Sequence, residues 1–521
     1  MMNVPLTIDL VLRRAATQYA HVEVVSRRPD KSIHRRTLGE VATRATALAR
    51  ALIGAGIQKG DRVATLMWNH AEHLEAYLGV PLAGAILHTL NLRLHPDDIS
   101  FIATDAGDRI VMVDEVLMPL YEKFRAGCPA ERVIVVGPDY EAFLAGAPAD
   151  VKLPELDEND PLGMCYTSGT TGKPKGVVYT HRSTILHSLS SALTDSLGIG
   201  RASSLMPVVP MFHVNAWGLP YTATLVGAKQ VYPGPHLDAL SLLELMETEK
   251  VTIAAGVPTL WIGIREAMQK EPERWKLQPD VSMIVGGAAA PEGLIRDFDA
   301  LGLRIVHAWG MTETSPLGLV SRLPPEAETL PEAERYALRA KQGVPPPLVD
   351  LVIRNEQGEV PHDGTTSGEV LIRAPWVASK YATADTPERW TDDGYFRTGD
   401  VGTIDAHGFV RLTDRMADLI KSGGEWIASQ ELENALMGHP AVQEAAVIGL
   451  PHAKWSERPL AVVVKRDGME VDAAELKAFL AERFAKFWLP DAFDFVTEIP
   501  RTSTGKFKKT ELRTRYADWT W

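Results

Sequence analysis

The stretch YTSGTTGKPKGV, residues 166–177, has the composition of a phosphate-binding loop, and it follows the apolar residues 162–165. Its three glycines let backbone N–H groups approach a polyphosphate, its four Ser or Thr hydroxyls can donate hydrogen bonds, and its two lysines supply positive charge. A Walker-type loop requires G-x-x-x-x-G-K-S/T. Here only two residues separate Gly169 from Gly172, and Pro174 follows Lys173. The stretch predicts a non-Walker loop for a mobile triphosphate, although its composition alone also fits a surface turn.

Strand-like and helix-like segments alternate on both sides of this loop. Upstream, the patterns predict helices over 70–85 and from residue 96, and strands at 60–67, 86–90 and 109–113. Downstream, the alternation returns over residues 203–310, with strands at 229–232, 251–256 and 281–287. Such alternation is typical of mostly parallel sheets covered by helices. The α/β fold class is therefore predicted, with two sheet-containing subdomains.

The pattern of predicted elements changes after residue 343. Short strands separated by Asp/Gly turns are predicted at 349–354, 368–373 and 408–412, which indicates a small β-rich subdomain that completes a large N-terminal domain of residues 1–414. From residue 415 to residue 521 an α+β pattern follows, with helices at 429–437 and 473–485 and strands at 444–449 and 460–465. We expect this second part to be a small, mobile C-terminal domain. The Pro/Glu-rich segment at 324–334 predicts a surface loop that leads into a charged helix, and no role is assigned to residues 324–342.

Composition excludes several classes of protein. A chain of 521 residues has room for several domains. Its 54 Lys and Arg against 67 Asp and Glu disfavour a nucleic-acid or anionic-membrane surface. The two cysteines, Cys128 and Cys165, have no metal-ligand spacing, so we expect reduced thiols, no structural zinc and a cytoplasmic location. No window of eighteen apolar residues occurs and the first residues do not fit a signal peptide, so neither a transmembrane segment nor export is expected.

Further motifs follow the phosphate loop in a fixed order: WGMTET at 309–314, YFRTGD at 395–400, Asp414-Arg415 with SGGE at 422–425, and PRTSTGK at 500–506. With these motifs the chain resembles the adenylate-forming acyl-CoA synthetases, from near residue 8 to about residue 515. That family shares its fold with luciferases and nonribosomal-peptide adenylation domains. The resemblance implies that a carboxylate attacks the α-phosphorus of ATP and expels pyrophosphate, after which the thiol of coenzyme A takes the acyl group and releases AMP.

The resemblance also implies roles for individual residues. Glu313 and Thr167 are expected to hold the Mg²⁺ that accompanies ATP. Lys506 is expected to bridge the substrate carboxylate and the α-phosphate during adenylation. Glu313, His213 and Lys506 form the expected catalytic set. The residues expected around the ATP phosphates are Thr167, Ser168, Gly169, Thr170, Thr171, Gly172 and Lys173. Those expected around adenine and ribose are Gly287, Ala288, Ala289, Trp309, Gly310, Met311, Thr312, Asp400 and Arg415. The channel for coenzyme A, as co-substrate, is expected along Ser422, Gly423, Gly424, Glu425 and Trp426.

This sequence departs from the family pattern at two of these positions. Trp309 stands where Tyr or Phe is more common, so stacking on adenine is expected without a phenol hydrogen bond. Ala417 stands at the usual hinge, two positions after Arg415, where the family often has Asp or Lys. Rotation of the C-terminal domain between the two half-reactions is still expected, without a polar hinge side chain.

The segment 208–217 indicates which acid is activated, because it resembles the corresponding segment of bacterial fatty acyl-CoA synthetases. The resemblance places His213 near the substrate carboxylate and Trp217, with Gly286, in the acyl pocket, whereas core packing is the alternative for either side chain taken alone. No Arg or Lys occurs in 208–220 or 284–291, so a monocarboxylic, largely apolar acid is favoured. A medium- to long-chain fatty acid is the leading hypothesis.

The sequence leaves three alternatives open. A small-acid ligase, such as one for a methylthio-propionate, has similar residues in these segments. An adenylating enzyme could load a separate carrier protein, although no carrier domain follows residue 521. A nucleotide-binding regulatory module would use the phosphate loop without chemistry, and Lys506 and Glu313 count against it. A homodimer is expected from the resemblance.

Overall fold

The computed structural model describes residues 1–167, 173–422, 425–501 and 507–521, without the side chain of Glu425. The predicted site residues Ser168, Gly169, Thr170, Thr171, Gly172, Gly423, Gly424 and Lys506 lie outside this described part. Among the described residues there are two compact units: the first contains residues 1–167, 174–350 and 373–396, and the second contains residues 173, 351–372, 397–422, 425–501 and 507–521. The domain boundary predicted between 414 and 415 stays a prediction.

The first unit is built from two helix-covered sheets. Its strands are β1 Glu23–Arg27, β2 Ile33–Thr37, β3 Arg62–Leu66, β4 Ile86–Thr89, β5 Asp108–Asp114, β6 Arg132–Val136, β7 Pro161–Tyr166, β8 Gly176–Thr180, β9 Ser204–Pro207, β10 Lys229–Tyr232, β11 Ile253–Gly256, β12 Val281–Val285, β13 Leu303–Gly310 and β14 Leu317–Val320. Its helices are Ile8–Thr17, Leu38–Gly54, Ala71–Leu82, Pro96–Ala106, Met118–Phe124, Pro138–Ala145, His181–Ala192, Leu219–Val226, Ala239–Thr248, Pro258–Lys270, Glu292–Ala300 and Glu332–Ala340.

The order of the strands confirms the predicted α/β class. One sheet runs β6-β5-β3-β4-β7-β8, and the other runs β14-β13-β12-β11-β9-β10-β1-β2. Strands are parallel in the middle of each sheet, whereas β8, β14 and β2 pair antiparallel with their neighbours. Helix Leu38–Gly54 shows how local sequence starts these helices: Glu40 N–H donates to the Thr37 hydroxyl and Thr37 N–H donates to the Glu40 carboxylate, a capping box. Helix Ala71–Leu82 is buried on all sides within the first unit.

The second unit holds two antiparallel-rich sheets. Its strands are β15 Asp350–Asn355, β16 Gly358–Glu359, β17 Gly368–Arg373, β18 Phe396–Ile404, β19 Val410–Arg415, β20 Ile420–Ser422, β21 Glu425–Ile427, β22 Val442–His452, β23 Ser456–Lys465 and β24 Ala492–Phe495, and its helices are Ser429–Met437, Ala473–Ala481 and Lys509–Arg515. The end residues Asp350, Arg373 and Phe396 of β15, β17 and β18 are counted with the first unit. One sheet runs β16-β15-β17-β18-β19, and the other runs β21-β20-β23-β22 with β24 beside β23. The predicted β-rich part and small α+β C-terminal part are both present.

Strand β19 extends further than the sequence predicted. A strand was expected over 408–412, but β19 continues through Asp414 and Arg415 because these residues stay in antiparallel register with Val401 and Asp400 of β18. The turn chemistry of the sequence does not show this extension, since it depends on the partner strand. In the chain outside the gaps at 168–172, 423–424 and 502–506, no helix has the length and apolar content needed to cross a bilayer.

Candidate active site

The stretch predicted to bind phosphate begins and ends in a hairpin of β7 and β8. Strands β7 and β8 pair up to Tyr166 and Gly176, and Thr167 N–H then donates to the Lys175 carbonyl at 2.9 Å. Lys175 N–H donates in turn to the Thr167 hydroxyl at 3.1 Å. The side chain of Lys173 is exposed. Thr167 and Lys175 therefore lie together where the chain enters and leaves the stretch 168–172.

Glu313 is a buried carboxylate with a defined partner. It lies in the short 3-10 turn Thr312–Thr314 that follows β13, and only 6% of it is exposed. The Tyr381 hydroxyl donates to Glu313 Oε1 at 2.7 Å, and Ala378 N–H donates to the Glu313 carbonyl at 2.8 Å. The turn is also tied to β8, because the Tyr179 hydroxyl donates to the Thr312 carbonyl at 2.9 Å. This residue is not the solvated acid that an isolated glutamate usually is.

Tyr381 joins Glu313 to the β7–β8 hairpin, and no motif of the sequence indicated this residue. Besides its hydrogen bond to Glu313, its ring lies under the Lys175 ammonium, with Nζ 5.1 Å from the ring centroid. The next residue, Ala382, donates its N–H to the Gly176 carbonyl at 2.8 Å. Burial, together with the Glu313 carboxylate, raises the pKa of Tyr381, so its hydroxyl stays a donor. A tyrosine in an irregular segment produces no periodic pattern that could have revealed it.

The residues expected around adenine lie at one edge of a parallel sheet. Gly287, Ala288 and Ala289 follow the end of β12, and Trp309 and Gly310 end the neighbouring parallel strand β13. Gly287 and Ala288 are exposed, whereas Ala289, Trp309, Gly310 and Met311 are half-buried and Thr312 is buried. Open α/β sheets bind ligands outside the carboxyl ends of their strands. The structure thus brings these predicted residues together in a position that suits a nucleoside.

Gly310 also has a structural requirement. A Cβ at this position would lie 1.5 Å from the carbonyl oxygen of Pro316, which belongs to the backbone where β14 begins. No side chain fits under a backbone atom at that distance. The glycine of the WGMTET motif is therefore needed for the close approach of β13 and β14.

Trp217 and Gly286, predicted together in the acyl pocket, are in contact. Trp217 is 9% exposed, and a Cβ on Gly286 would lie 2.8 Å from Cη2 of the indole ring. Gly286 directly follows β12, so the ring reaches the same sheet edge as the adenine residues. His213, four residues before Trp217, is half-buried.

Trp217 lies in a left-handed backbone turn. Val214, Asn215, Ala216 and Trp217 have φ values of 46°, 50°, 48° and 58°, and Gly218 continues at 69°. Left-handed backbone costs about 1–2 kcal/mol for each L-residue, and a β-branched or bulky residue there is an outlier. Strain of this kind persists where the surroundings determine it, which is common at functional sites.

In the second unit, Asp400 and Arg415, which are both expected near the ribose, form an ion pair. Their strands β18 and β19 place them opposite each other, and Arg415 Nε lies 3.0 Å from Asp400 Oδ1. The Asp400 carboxylate is buried, and its N–H donates to the Thr398 hydroxyl at 3.0 Å. An oriented carboxylate beside a partly exposed guanidinium can accept hydrogen bonds from vicinal hydroxyls.

Of the residues expected along the coenzyme A channel, Ser422 and Trp426 differ in environment. Ser422 is buried, and its hydroxyl accepts a hydrogen bond from Arg458 at 2.8 Å. Trp426 is 53% exposed, with the Lys421 ammonium 5.4 Å from the centroid of its indole ring system. Ser422 therefore has a structural contact, while Trp426 presents an aromatic surface.

The described residues contain no group of three or more His, Cys, Asp or Glu side chains that could hold a metal ion. A single buried carboxylate such as Glu313 still suits Mg²⁺, because this ion keeps waters and is commonly bound by one or two carboxylates and substrate phosphates. Cys128 and Cys165 are both free thiols, as predicted.

Comparison with known proteins identifies the class. Residues 12–382 match the model of the AMP-binding enzyme family, and residues 431–506 match that of the AMP-binding enzyme C-terminal domain. A long-chain-fatty-acid–CoA ligase of Thermus thermophilus is 47% identical over 100% of this chain and 97% of the relative. A medium-chain-fatty-acid–CoA ligase of Ectopseudomonas oleovorans (41%; 99% and 97% covered) and a 3-methylmercaptopropionyl-CoA ligase of Ruegeria lacuscaerulensis (42%; 99% and 98% covered) are also similar.

Solved structures agree with this family. ATP-bound MatB from Rhodopseudomonas palustris superimposes with a TM-score of 0.85 at 26% identity, covering 99% of both chains. The O-succinylbenzoate coenzyme A synthetase of Bacillus subtilis, in complex with ATP and magnesium ion, gives a TM-score of 0.82 at 26% identity, covering 96% of this chain and 99% of that one. The chain belongs to the AMP-binding enzyme family. Within it, the chain is an acid–thiol ligase of the acyl-CoA synthetase class, as the sequence motifs predicted.

Proposed function

We propose that this ligase activates a medium- to long-chain fatty acid and transfers the acyl group to coenzyme A. The observation that carries the choice of acid is the contact of Trp217 with Gly286, in segments that contain no Arg or Lys to pair with a second carboxylate. The names of the similar fatty-acid ligases from Thermus thermophilus and Ectopseudomonas oleovorans support this substrate class. The similar 3-methylmercaptopropionyl-CoA ligase keeps a small apolar acid as the second candidate.

The chemistry proceeds in two balanced steps. A carboxylate oxygen forms a bond to the α-phosphorus of ATP, and the bond from that phosphorus to the bridging oxygen of pyrophosphate breaks. The thiolate of coenzyme A then attacks the acyl carbonyl, and AMP leaves with its oxygen. The first step brings together two anions, so alignment and charge neutralisation are the main tasks of the protein.

In this proposal the hairpin and Glu313 serve the triphosphate. Thr167 and Lys173, with the hydroxyls and backbone of residues 168–172, bind the β- and γ-phosphates. Glu313, oriented by Tyr381, would hold Mg²⁺, which when bound offsets phosphate charge. Lys506 neutralises the charge that develops between the carboxylate and the α-phosphate.

The remaining predicted residues are assigned to the rest of the substrates. Residues 287–289 and 309–312 contact adenine, while the Asp400 carboxylate accepts hydrogen bonds from the ribose hydroxyls and Arg415, beside it, orients that carboxylate. His213 lies beside the substrate carboxylate. The segment 422–426 lines the path of the pantetheine arm, with its exposed Trp426 as the aromatic surface. The proposal also includes the domain boundary at 414/415, a homodimer and a cytoplasmic location.

A panel of acids tests the substrate class. Purified protein is incubated with ATP, Mg²⁺ and unbranched acids from acetate to stearate together with 3-methylthiopropionate, with and without coenzyme A. The expected products with the medium and long acids are AMP, pyrophosphate and acyl-CoA. Turnover of the small acids alone favours the second candidate, and acyl-AMP that accumulates in the presence of coenzyme A favours loading of a carrier protein. Absence of pyrophosphate with every acid contradicts the proposal.

Tyr381→Phe tests the orientation of Glu313. The substitution keeps the ring under Lys175 but removes the donor to the carboxylate, and hydrogen bonds to charged groups contribute about 1.5–3 kcal/mol. We expect pyrophosphate release to slow by about 10- to 100-fold, with a higher Mg²⁺ concentration needed for half-maximal rate. Tyr395→Phe is the matched control, because it removes a tyrosine hydrogen bond to Asp350, also in the first unit. Equal losses in the two variants would contradict a specific role for Tyr381.

Gly286→Ala tests the acyl pocket. The added methyl would lie 2.8 Å from the Trp217 ring, so the ring must shift, and one methylene in an apolar pocket changes discrimination by about 10- to 200-fold. We expect KM for the longest accepted acids to rise by at least about tenfold, with KM for ATP unchanged. Gly293→Ala is the control, because a Cβ there meets nothing within 4 Å. A uniform loss of rate with every acid would show that Gly286 does not border the acyl chain.

A further inference from the structure

The left-handed turn at 214–217 requires a contact that stabilises it, and the side chain of its second residue, Asn215, can form one. Among residues with a Cβ, Asn and Asp tolerate left-handed backbone best, because their short side chains form local hydrogen bonds. Asn215 is buried, so its amide cannot be satisfied by solvent. Its partners therefore determine whether the turn is kept.

Those partners lie on two neighbouring strands of a sheet. The Cys165 thiol on β7 donates to Asn215 Oδ1 at 3.1 Å, and the Thr89 hydroxyl at the end of β4 lies 3.5 Å from the same oxygen. The Thr89 hydroxyl and the Cys165 sulfur are themselves 3.3 Å apart. Burial raises the pKa of the Cys165 thiol, so the sulfur keeps its proton and remains a donor. The three side chains form one buried network.

The sheet also leaves room for the amide group. Gly163, two residues before Cys165, has no side chain, and a Cβ there would lie 3.1 Å from Asn215 Nδ2. A larger residue would press on the amide and displace the turn. The glycine thus completes a recess, formed by β4 and β7, that accepts the Asn215 side chain.

Two residues after Asn215, the same turn delivers Trp217 to Gly286. Because the intervening residues are strained, loss of the contact at Asn215 releases the whole turn rather than one side chain. We propose that Asn215 is a positioning residue for acid specificity: held by Cys165 and Thr89, it sets how far the Trp217 ring reaches toward Gly286. This inference rests on the proposed function, since it assumes that Trp217 borders the acyl chain.

Thiol chemistry tests the network without any assumption about the substrate. In a Cys128→Ala background Cys165 is the sole cysteine of the chain, and its alkylation by iodoacetamide is followed by mass spectrometry. With Asn215 in place, the buried Cys165 thiol is expected to react slowly. Asn215→Ala and Asn215→Gly are both expected to increase the alkylation rate by about tenfold or more, because both remove the acceptor of the thiol. An unchanged rate in both variants overturns the network.

The acid panel tests the consequence for specificity. For Asn215→Ala and Asn215→Gly we expect the ratio of KM values between a long and a short acid to change by at least about tenfold, with KM for ATP unchanged. The glycine variant separates the two contributions of Asn215, because glycine accepts the left-handed backbone but has no amide. A wild-type ratio in the glycine variant overturns the inference, since Asn215 would then serve the backbone alone.

Conservative and matched variants complete the test. Cys165→Ser retains a donor to Asn215 and is expected to keep the wild-type ratio, whereas Cys165→Val fills the space without a donor and is expected to shift it as Asn215→Ala does. Cys128→Ala, at the other thiol, is expected to leave the ratio unchanged. A wild-type enzyme that turns over no acid contradicts the proposed function, whereas an active wild type with unchanged ratios in the Asn215 and Cys165→Val variants contradicts this inference.

Discussion

Lys506→Ala is expected to lower the rate of acyl-adenylate formation by about 10²- to 10³-fold. A single ammonium that stabilises charge present only in the transition state acts on kcat rather than on KM for ATP. Thioester formation from supplied acyl-adenylate is expected to continue near the wild-type rate, because that step begins after the α-phosphate has been transferred. The two half-reactions are measured separately, as pyrophosphate release without coenzyme A and as acyl-CoA formation from synthetic acyl-adenylate.

The neighbouring lysines provide the control for this prediction. Lys508 is exposed and pairs with Glu511 at 3.2 Å, so Lys508→Ala removes the same charge from the same segment without loss of a buried contact. Lys509 is unsuitable as a control, because its ammonium is buried beside Glu433 at 2.8 Å and the Ser429 hydroxyl at 2.6 Å. If Lys506→Ala slows both half-reactions equally, or if Lys508→Ala has the same effect, the assignment of Lys506 to adenylation is wrong.

Glu313→Gln is expected to reduce pyrophosphate release by about 10²-fold or more, a loss similar in scale to that of one oxyanion-type contact. The amide has nearly the same shape and still accepts from Tyr381, so the turn at 312–314 keeps its hydrogen bond while the negative charge is lost. A hard cation binds an amide oxygen less well than a carboxylate. We therefore expect the remaining activity to depend steeply on Mg²⁺ concentration, which a titration at saturating ATP measures.

Glu369→Gln is the matched control for this variant. Glu369 pairs with Arg397 at 2.6 Å on the sheet of the second unit, and no substrate role is proposed for it. A comparable loss in the control would mean that the effect of Glu313→Gln comes from stability. A full rate at ordinary Mg²⁺ concentration in Glu313→Gln would remove Glu313 from the catalytic set.

Local patterns were sufficient for most of the fold. The largely apolar segment at 281–287 predicted β12, and the Pro-Asp-Asp sequence at 96–98 predicted the start of helix Pro96–Ala106. Strand register was not available from these patterns, which is why β19 extends to Arg415 beyond the predicted end at 412. Pairing across a sheet depends on the partner strand, and a single sequence does not reveal that partner.

Contacts between distant residues of the site were not predictable in the same way. Tyr381 is 68 residues from Glu313, and Cys165 is 50 residues from Asn215. Neither pair belongs to a motif with a fixed spacing. The left-handed turn at 214–217 contradicts the local preference of Val and Trp, and it is a conformation that only the surrounding structure imposes.

By itself, the sequence determined the class of this protein and the identity of its chemical groups, because the order and spacing of the motifs are properties of the chain. The spacing of Gly169, Gly172 and Lys173 excluded a Walker loop, and the family resemblance assigned Asp400 with Arg415, and Trp217 with Gly286, to common sites. Only the tertiary structure decided how these groups are oriented: Tyr381 links Glu313 to the β7–β8 hairpin, and Asn215 connects the turn of Trp217 to β7. The physical reason is that orientation comes from buried hydrogen bonds and close packing between distant segments, which form only when the sheets assemble.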